Sequence, residues 1–222
     1  MDSFTVIVLL ILVCVIFFWV RAGNKRKEKE KNERLKQKQL VASAKAYIEE
    51  AKTNKRLPAG FTSIMLGEGE QAFFEEETKL IETRSVRNTG GGGVRFRVAK
   101  GVSVGGFGAQ GESHQAYRII DQGKITLTNK KIFFSGSKEN RNIPINKIIK
   151  FDPMTDGAEI GIESRSKNIC FYIGNAFLWG AVVNILHSAN GDVSNLSPEV
   201  FDKSLEWLKD WEIFENELTQ NN

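Results

Sequence analysis

An uncharged, mostly apolar run of seventeen residues near the start of the chain limits how this protein can fold. Residues 4–20 read FTVIVLLILVCVIFFWV. As a helix that rises 1.5 Å per residue, the run is about 25 Å long, slightly less than a hydrocarbon core of about 30 Å. Trp19 and Arg21 can reach the membrane interface and close this gap. The sequence therefore predicts a single transmembrane helix over residues 4–22.

Two other interpretations of this run fit less well. A helix in the core of a globular domain keeps a polar face, whereas this run is apolar on every side. A signal peptide starts with basic residues and ends in a small-residue cleavage site. Here Asp2 is the only charged side chain before the run, and RAGNKRKEK follows it. We therefore expect a retained anchor with Cys14 as an inert thiol inside it.

The charges beside the run predict its orientation. Residues 21–38 carry nine Lys/Arg and three Glu, and no Lys or Arg precedes the run. Because basic flanks stay in the cytoplasm, we expect a single-pass protein of the cell membrane with its N-terminus outside and its C-terminal domain cytoplasmic. The basic side chains nearest the membrane can also attract anionic lipid, at about 1 kcal/mol each, although topology alone explains them equally well. They are Arg21, Lys25, Arg26 and Lys27.

The segment after the anchor has the composition of a helix. Residues 23–57 are rich in Lys, Glu, Gln and Ala, and they contain no Pro before Pro58. The first half is almost entirely polar, which predicts a basic helical stalk. Apolar residues then recur at helical spacing and predict one stripe that docks on the following domain, namely Leu40, Ala44, Tyr47, Ile48 and Ala51. A dimeric coiled coil is the weaker alternative, because only about two heptads fit.

From residue 61 the pattern changes to short strands separated by turn residues. Eight strands are predicted, at 79–84, 94–98, 124–128, 131–135, 141–145, 148–151, 158–163 and 169–173. An apolar helix follows, over 176–186. This order is typical of a small antiparallel barrel or sandwich with one end capped by a helix. The predicted fold class is therefore mainly β, with helices before and after the sheet.

A known domain type shares several of these features. The run GKITLTNKKIFFSG at 123–136, the segment Ile143-Pro144-Ile145, the Asp156-Gly157 turn and the strand at 160–162 resemble the bacterial pleckstrin-homology-like and GRAM-like domains. The Gly-rich segment before these motifs, 90–111, resembles the lead-in found in some bacterial and phage relatives of these domains. The resemblance covers 115–188 and implies a domain over 61–190 with seven strands and a C-terminal helix. It also implies a binding or scaffolding role and no catalysis.

A last amphipathic helix is predicted over 197–218. Ser197 can cap it, Pro198 suits its first position and Glu199 its first turn. The favoured role is docking on the domain. A helix that binds a partner or the membrane surface is the alternative, because Trp207 and Trp211 are strong anchors for either.

The candidate binding face lies in the Gly-rich segment. Arg95, Arg97 and Lys100 follow Gly90–Gly93 on one predicted strand face, where they can pair with phosphate groups or an acidic partner. An ordinary solvated strand face is the more conservative interpretation. The predicted function is recognition of a protein partner at the membrane. Recognition of anionic lipid head groups is the alternative.

Enzymatic activity is the least favoured interpretation. Gly106–Gly111 reads G-x-G-x-x-G, but the sequence predicts no helix after it to bind a pyrophosphate. Residues 152–163 resemble a calcium loop that has lost a ligand at Met154. With two His and two Cys in the chain, we expect no catalytic residue, metal or cofactor. We also expect no nucleic-acid partner, because the positive charge is concentrated in 21–56, which hold thirteen Lys/Arg and five Asp/Glu.

Overall fold

The computed structural model describes residues 3–87, 96–99, 102–104, 113–163 and 165–220. Helix α1 runs without a break from Ser3 to Thr53. Among the described residues, no helix is both long and apolar enough to cross a membrane. The side chains of residues 4–18 lie outside those described. The anchor over 4–22 therefore stays a prediction.

Antiparallel pairing joins seven strands into one sheet, and three helices complete the fold. The sheet has the order β6-β5-β4-β1-β9-β8-β7. Its strands are β1 (Ala72–Arg87), β4 (Ser113–Thr128), β5 (Lys131–Gly136), β6 (Asn140–Pro144), β7 (Ile148–Pro153), β8 (Gly157–Ile162) and β9 (Ile169–Tyr172). A separate hairpin comprises β2 (Phe96–Ala99) and β3 (Val102–Val104). Helices α2 (Ala176–Ser188) and α3 (Pro198–Gln220) follow the sheet.

Strands β1 and β4 are much longer than predicted. Each has sixteen residues, whereas the sequence predicted only 79–84 and 124–128 at these places. Strand β9 pairs with β1 only over Leu80–Glu82, and β5 pairs with β4 only over Gly123–Leu127. Among the described residues, the segments Thr83–Arg87 and Ser113–Tyr117 pair only with each other. They form a two-stranded arm that their polar sequence did not indicate.

The apolar stripe of α1 docks on the domain, as predicted. Ala44, Ile48 and Ala51 are at most 1% exposed, and Leu40 and Tyr47 pack against the same core. The N-terminal half of the stalk is different, since Leu35 is 50% exposed. Only the second half of the stalk is therefore part of the folded domain.

Helix α3 also docks, and it runs antiparallel to α1. Lys52 of α1 pairs with Asp202 at 2.5 Å, and Lys45 pairs with Glu212 at 2.5 Å. Phe201 and Leu208 are fully buried on the face of α3 that contacts the core. The favoured prediction for this helix, docking on the domain, is confirmed.

Candidate functional site

Strand β7 forms one edge of the sheet. Among the described residues it pairs with β8 alone, so its outer side has no strand partner. The register shifts between Ile148 and Lys150, and the side chain of Ile149 between them is 71% exposed. Two adjacent apolar residues in a strand cannot both face the core. Here Ile148 faces the core and Ile149 faces the solvent.

A groove of about 210 Å³ lies between β7 and α2. Five of its nine lining residues have large apolar side chains, and polar groups contribute nearly as much of its surface; the nine are Ile148, Ile149, Lys150, Phe151, Gly180, Val183, Asn184, His187 and Trp207. A volume of this size can take one large apolar side chain. An unpaired strand edge beside a partly apolar groove is the arrangement to which an extended peptide segment can add as a further strand.

Gly180 determines the shape of this groove. A Cβ atom at position 180 would lie 2.5 Å from the Trp207 ring and 2.9 Å from the Phe151 ring. Real side chains do not approach so closely, so only glycine lets both aromatic rings pack on this turn of α2. The two rings therefore form one end of the groove, and Trp207 links the groove to α3.

The rim of the groove on α2 is polar. The side chains of Asn184 and His187 lie one helical turn apart and line the groove. Neither makes a hydrogen bond or ion pair to another residue in the part of the chain that the structure describes. An amide can donate and accept hydrogen bonds with a peptide main chain. On the opposite side, Lys150 pairs with Asp152.

A second and larger cleft, of about 730 Å³, lies at the C-terminal end of α2. Asn129 forms part of its wall, and the Asn129 side chain accepts from the Gln71 N–H at 2.9 Å. The same side chain donates to the carbonyls of Gly69 and Gly191, at 3.2 and 2.9 Å. The Asn129 side chain therefore has its hydrogen-bonding partners within the protein, and the groove, which adjoins an unpaired strand edge, is the stronger candidate site.

Two carboxylates with strongly lowered pKa values also have structural explanations. Hydrogen bonds from the backbone N–H groups of Lys138 and Glu139 lower the pKa of Asp121 to about 2. Burial opposes the ionisation of Glu75, but hydrogen bonds from Thr62, Ser63 and Lys124 outweigh it and lower its pKa to about 2. Each carboxylate holds a turn or loop in place.

The residues predicted as binding residues fall in three different places. Trp207 lines the groove, and Trp211 packs edge-to-face on Trp207 and on Phe177. Arg95 and Lys100 lie outside the described residues, and Arg97 lies in β2 with its side chain outside them. On α1, the side chains of Arg21, Lys25 and Lys27 are exposed, while that of Arg26 lies outside the described set.

Sequence reasoning missed the groove. Two signals were present in the chain: a glycine inside the apolar helix AFLWGAVV, and the adjacent Ile148 and Ile149 in a predicted strand. Comparison with protein-family models, curated proteins and solved structures gives no match. The geometry of the groove is therefore the basis for a functional conclusion.

Proposed function

We propose that this chain is a membrane-anchored binding module that holds an extended segment of a protein partner in the groove between β7 and α2. The observation that carries the proposal is the unpaired edge of β7 beside a partly apolar groove. Main-chain hydrogen bonds to a strand edge supply affinity, and side-chain pockets supply specificity. The free amide of Asn184 adds a polar group that can orient the segment. The proposed role is binding, with no catalytic step.

We assign the domain over 61–190 to the pleckstrin-homology-like type. Two features support this assignment. The motif at 123–136 occupies the β4–β5 hairpin, and the sheet has seven strands followed by α2, as the resemblance implies. Binding modules of this kind suit the proposed role.

The anchor and its orientation rest on the sequence. The run 4–20 and the basic flank 21–38 support a single span with its N-terminus outside and the domain in the cytoplasm. The polar half of α1, residues 21–40, would then span about 30 Å between the bilayer and the docked stripe. The groove would be held clear of the membrane surface, and this favours a protein partner over a lipid for this site.

The test uses the full chain in lipid nanodiscs. Random displayed peptides are selected on it, and binding of the best peptide is measured by fluorescence polarisation. Ile149→Glu places a charge at the exposed groove rim and is expected to weaken binding by tenfold or more. Met154→Glu, at a site just beyond β7 that is 42% exposed and does not line the groove, should leave binding unchanged. Failure to select any peptide, or equal binding by both variants, would contradict the proposal.

One observation favours a second candidate function, the binding of anionic lipid by the arm of β1 and β4. From the start of β1 onward, the residues that contact the α1 region lie progressively closer to the N-terminal end of α1. Gln71 hydrogen-bonds the Leu57 carbonyl, and Phe74 packs on Tyr47. The direction of β1 is thus toward the membrane end of the stalk. Residues 83–118 carry six Lys/Arg and one Glu, including Arg95, Arg97 and Lys100.

Vesicles can test this second function separately. Replacing Arg95, Arg97 and Lys100 together by Gln should reduce binding of the full chain to added anionic vesicles, as raising the salt should do. Binding to neutral vesicles should not change. If the triple variant binds anionic vesicles as the parent does, the arm has no lipid role.

A further inference from the structure

The loop between α1 and β1 directs polar side chains toward the sheet and large apolar side chains toward the solvent, the reverse of a typical surface loop. Thr62 and Ser63 point toward the sheet and hydrogen-bond Glu75, at 2.7 and 2.8 Å. Phe61 and Met65 point outward and are 89% and 98% exposed. A loop whose hydroxyl groups are bound to the sheet while its large apolar side chains are exposed has the form of a contact surface.

Glu75 holds this loop rigidly. Its carboxylate also accepts from the Ser63 N–H at 2.8 Å and from Thr126 of the neighbouring strand at 3.1 Å. Its side chain is only 10% exposed. The Gly60 N–H adds a hydrogen bond to the Ala72 carbonyl at 2.8 Å. Because the loop is already ordered, binding through Phe61 and Met65 costs little further conformational entropy.

The loop and the groove lie on opposite faces of the sheet. Glu75 and Thr126 alternate with the core residues Leu127 and Phe74 and so face outward beneath the loop. Helix α2 packs on the inner face, where Phe74 contacts Trp179. A molecule therefore cannot place its own loop in its own groove, but a second copy can.

We propose that the loop carrying Phe61 and Met65 in one copy docks on the β7–α2 groove of a second copy, with one of these two side chains in the groove. This inference rests on the proposed function of the groove and names its partner. The groove holds about 210 Å³ of space, enough for one of these side chains. Among the described residues, this loop is the irregular segment that exposes two large apolar side chains at 89% and 98%.

The position of the loop argues against the bilayer as the surface that covers it. The loop follows the C-terminal end of α1, about 50 Å along the helix from residue 20. The groove is at the same end, since His187 lies at the end of α2 and Asn129 connects Gln71 with Gly191 there. Two copies anchored in one membrane thus carry loop and groove at matching heights. A head-to-tail contact of this kind joins unlike surfaces of identical chains.

Cysteine cross-linking in membranes tests the contact. Two differently tagged full chains are co-expressed, one with Met65→Cys and one with Asn184→Cys, in a background with Cys14 and Cys170 replaced by Ala. Oxidation is expected to give the mixed dimer. The control pair, Met65→Cys with Lys138→Cys in the exposed β5–β6 turn, should give none. Equal cross-linking in both pairs, or none with Asn184→Cys, would overturn the proposal.

A second variant separates this proposal from the function of the groove. Phe61→Ser, placed in the Met65→Cys chain so that the cross-linking cysteine is kept, changes only an exposed side chain, and it should abolish the mixed dimer with Asn184→Cys. It should also tighten binding of a selected peptide severalfold, because the loop no longer competes for the groove. If the mixed dimer persists in this variant, self-docking is wrong. If cross-linking fails while peptides still bind and Ile149→Glu still weakens them, self-docking fails and the proposed function stands.

Discussion

Gly180 of α2 lies so close to Trp207 of α3 that a single added carbon atom would stand 2.5 Å from the indole ring. Gly180→Ala should therefore push Trp207 and Phe151 apart and destabilise the fold by about 1–3 kcal/mol. This steric cost exceeds the gain of about 1 kcal/mol that alanine normally brings to a helix. Urea unfolding followed by tryptophan fluorescence would measure the loss.

Gly23→Ala is the matched control for this substitution. Gly23 also lies in a helix, but an added Cβ there would meet nothing within 4 Å. We expect an unchanged or slightly raised stability, by up to about 1 kcal/mol. Equal effects of the two substitutions would show that the close approach at Gly180 is not a constraint.

Local patterns in the sequence predicted the elements but not their extent. The β4–β5 hairpin was recognisable because Ile125 and Leu127 alternate with threonines, and Ile132 and Phe134 can then pair on the same face; all four are fully buried. The alternation predicted one buried face, but Thr126 and Thr128 on the other face are also fully buried. They are covered by Glu75 and Glu70, which hydrogen-bond them from positions about fifty residues away. Local alternation carries no information on such distant partners.

Asn129 is a second residue whose role depends on partners that are distant in the sequence. Asparagine tolerates the positive φ of a tight turn, yet Asn129 does not have one: among the described non-glycine residues only Lys55 and Asn190 do. The reason for asparagine is the side chain, which joins Gln71, Gly69 and Gly191. All three partners are about sixty residues away in sequence. The groove between β7 and α2 escaped prediction for a related reason, because tertiary packing alone brings a strand edge beside a helix.

Substitutions of Asn129 should lower stability, because its side chain joins Gln71, Gly69 and Gly191 by hydrogen bonds. Asn129→Ala removes three hydrogen bonds at a site that is 5% exposed, and it should cost about 1–3 kcal/mol. Asn129→Asp should cost more, because a carboxylate would face the carbonyls of Gly69 and Gly191. Chemical denaturation of both variants would give the order, with the exposed Asn146→Asp as control. A milder effect of Asn129→Asp than of Asn129→Ala would contradict the hydrogen-bond assignment.

Glu75 should make stability depend on pH in the acid range. Its pKa is lowered from 4.5 to about 2 in the folded protein, because hydrogen bonds to the loop outweigh burial. The folded state therefore gains stability from Glu75 above pH 4.5 and loses it as the pH falls toward 2. Glu75→Gln should be less stable than the parent at pH 7, and the difference should shrink below pH 4.5.

Denaturant midpoints measured between pH 7 and pH 3 would check this dependence. The control is Glu77→Gln, on the same face of β1 but exposed. It should show no comparable change with pH. A constant difference between Glu75→Gln and the parent over this range would mean that the carboxylate is not held by the loop.

The two halves of the stalk should respond differently to the loss of a side chain. Ile48 is fully buried between α1 and the core, so Ile48→Ala removes buried contacts and leaves a cavity. The expected cost is about 2–5 kcal/mol. Leu35 lies three to four turns earlier on the same helix and is 50% exposed. Leu35→Ala should change stability by less than about 0.5 kcal/mol.

Hydrogen exchange would show the same division, with slow exchange around Ile48 and fast exchange around Leu35, because only the docked half is protected by tertiary packing. Equal protection of both halves would mean that the polar half also packs against another surface. The free helix between the groove and the membrane would then be shorter than 20 residues.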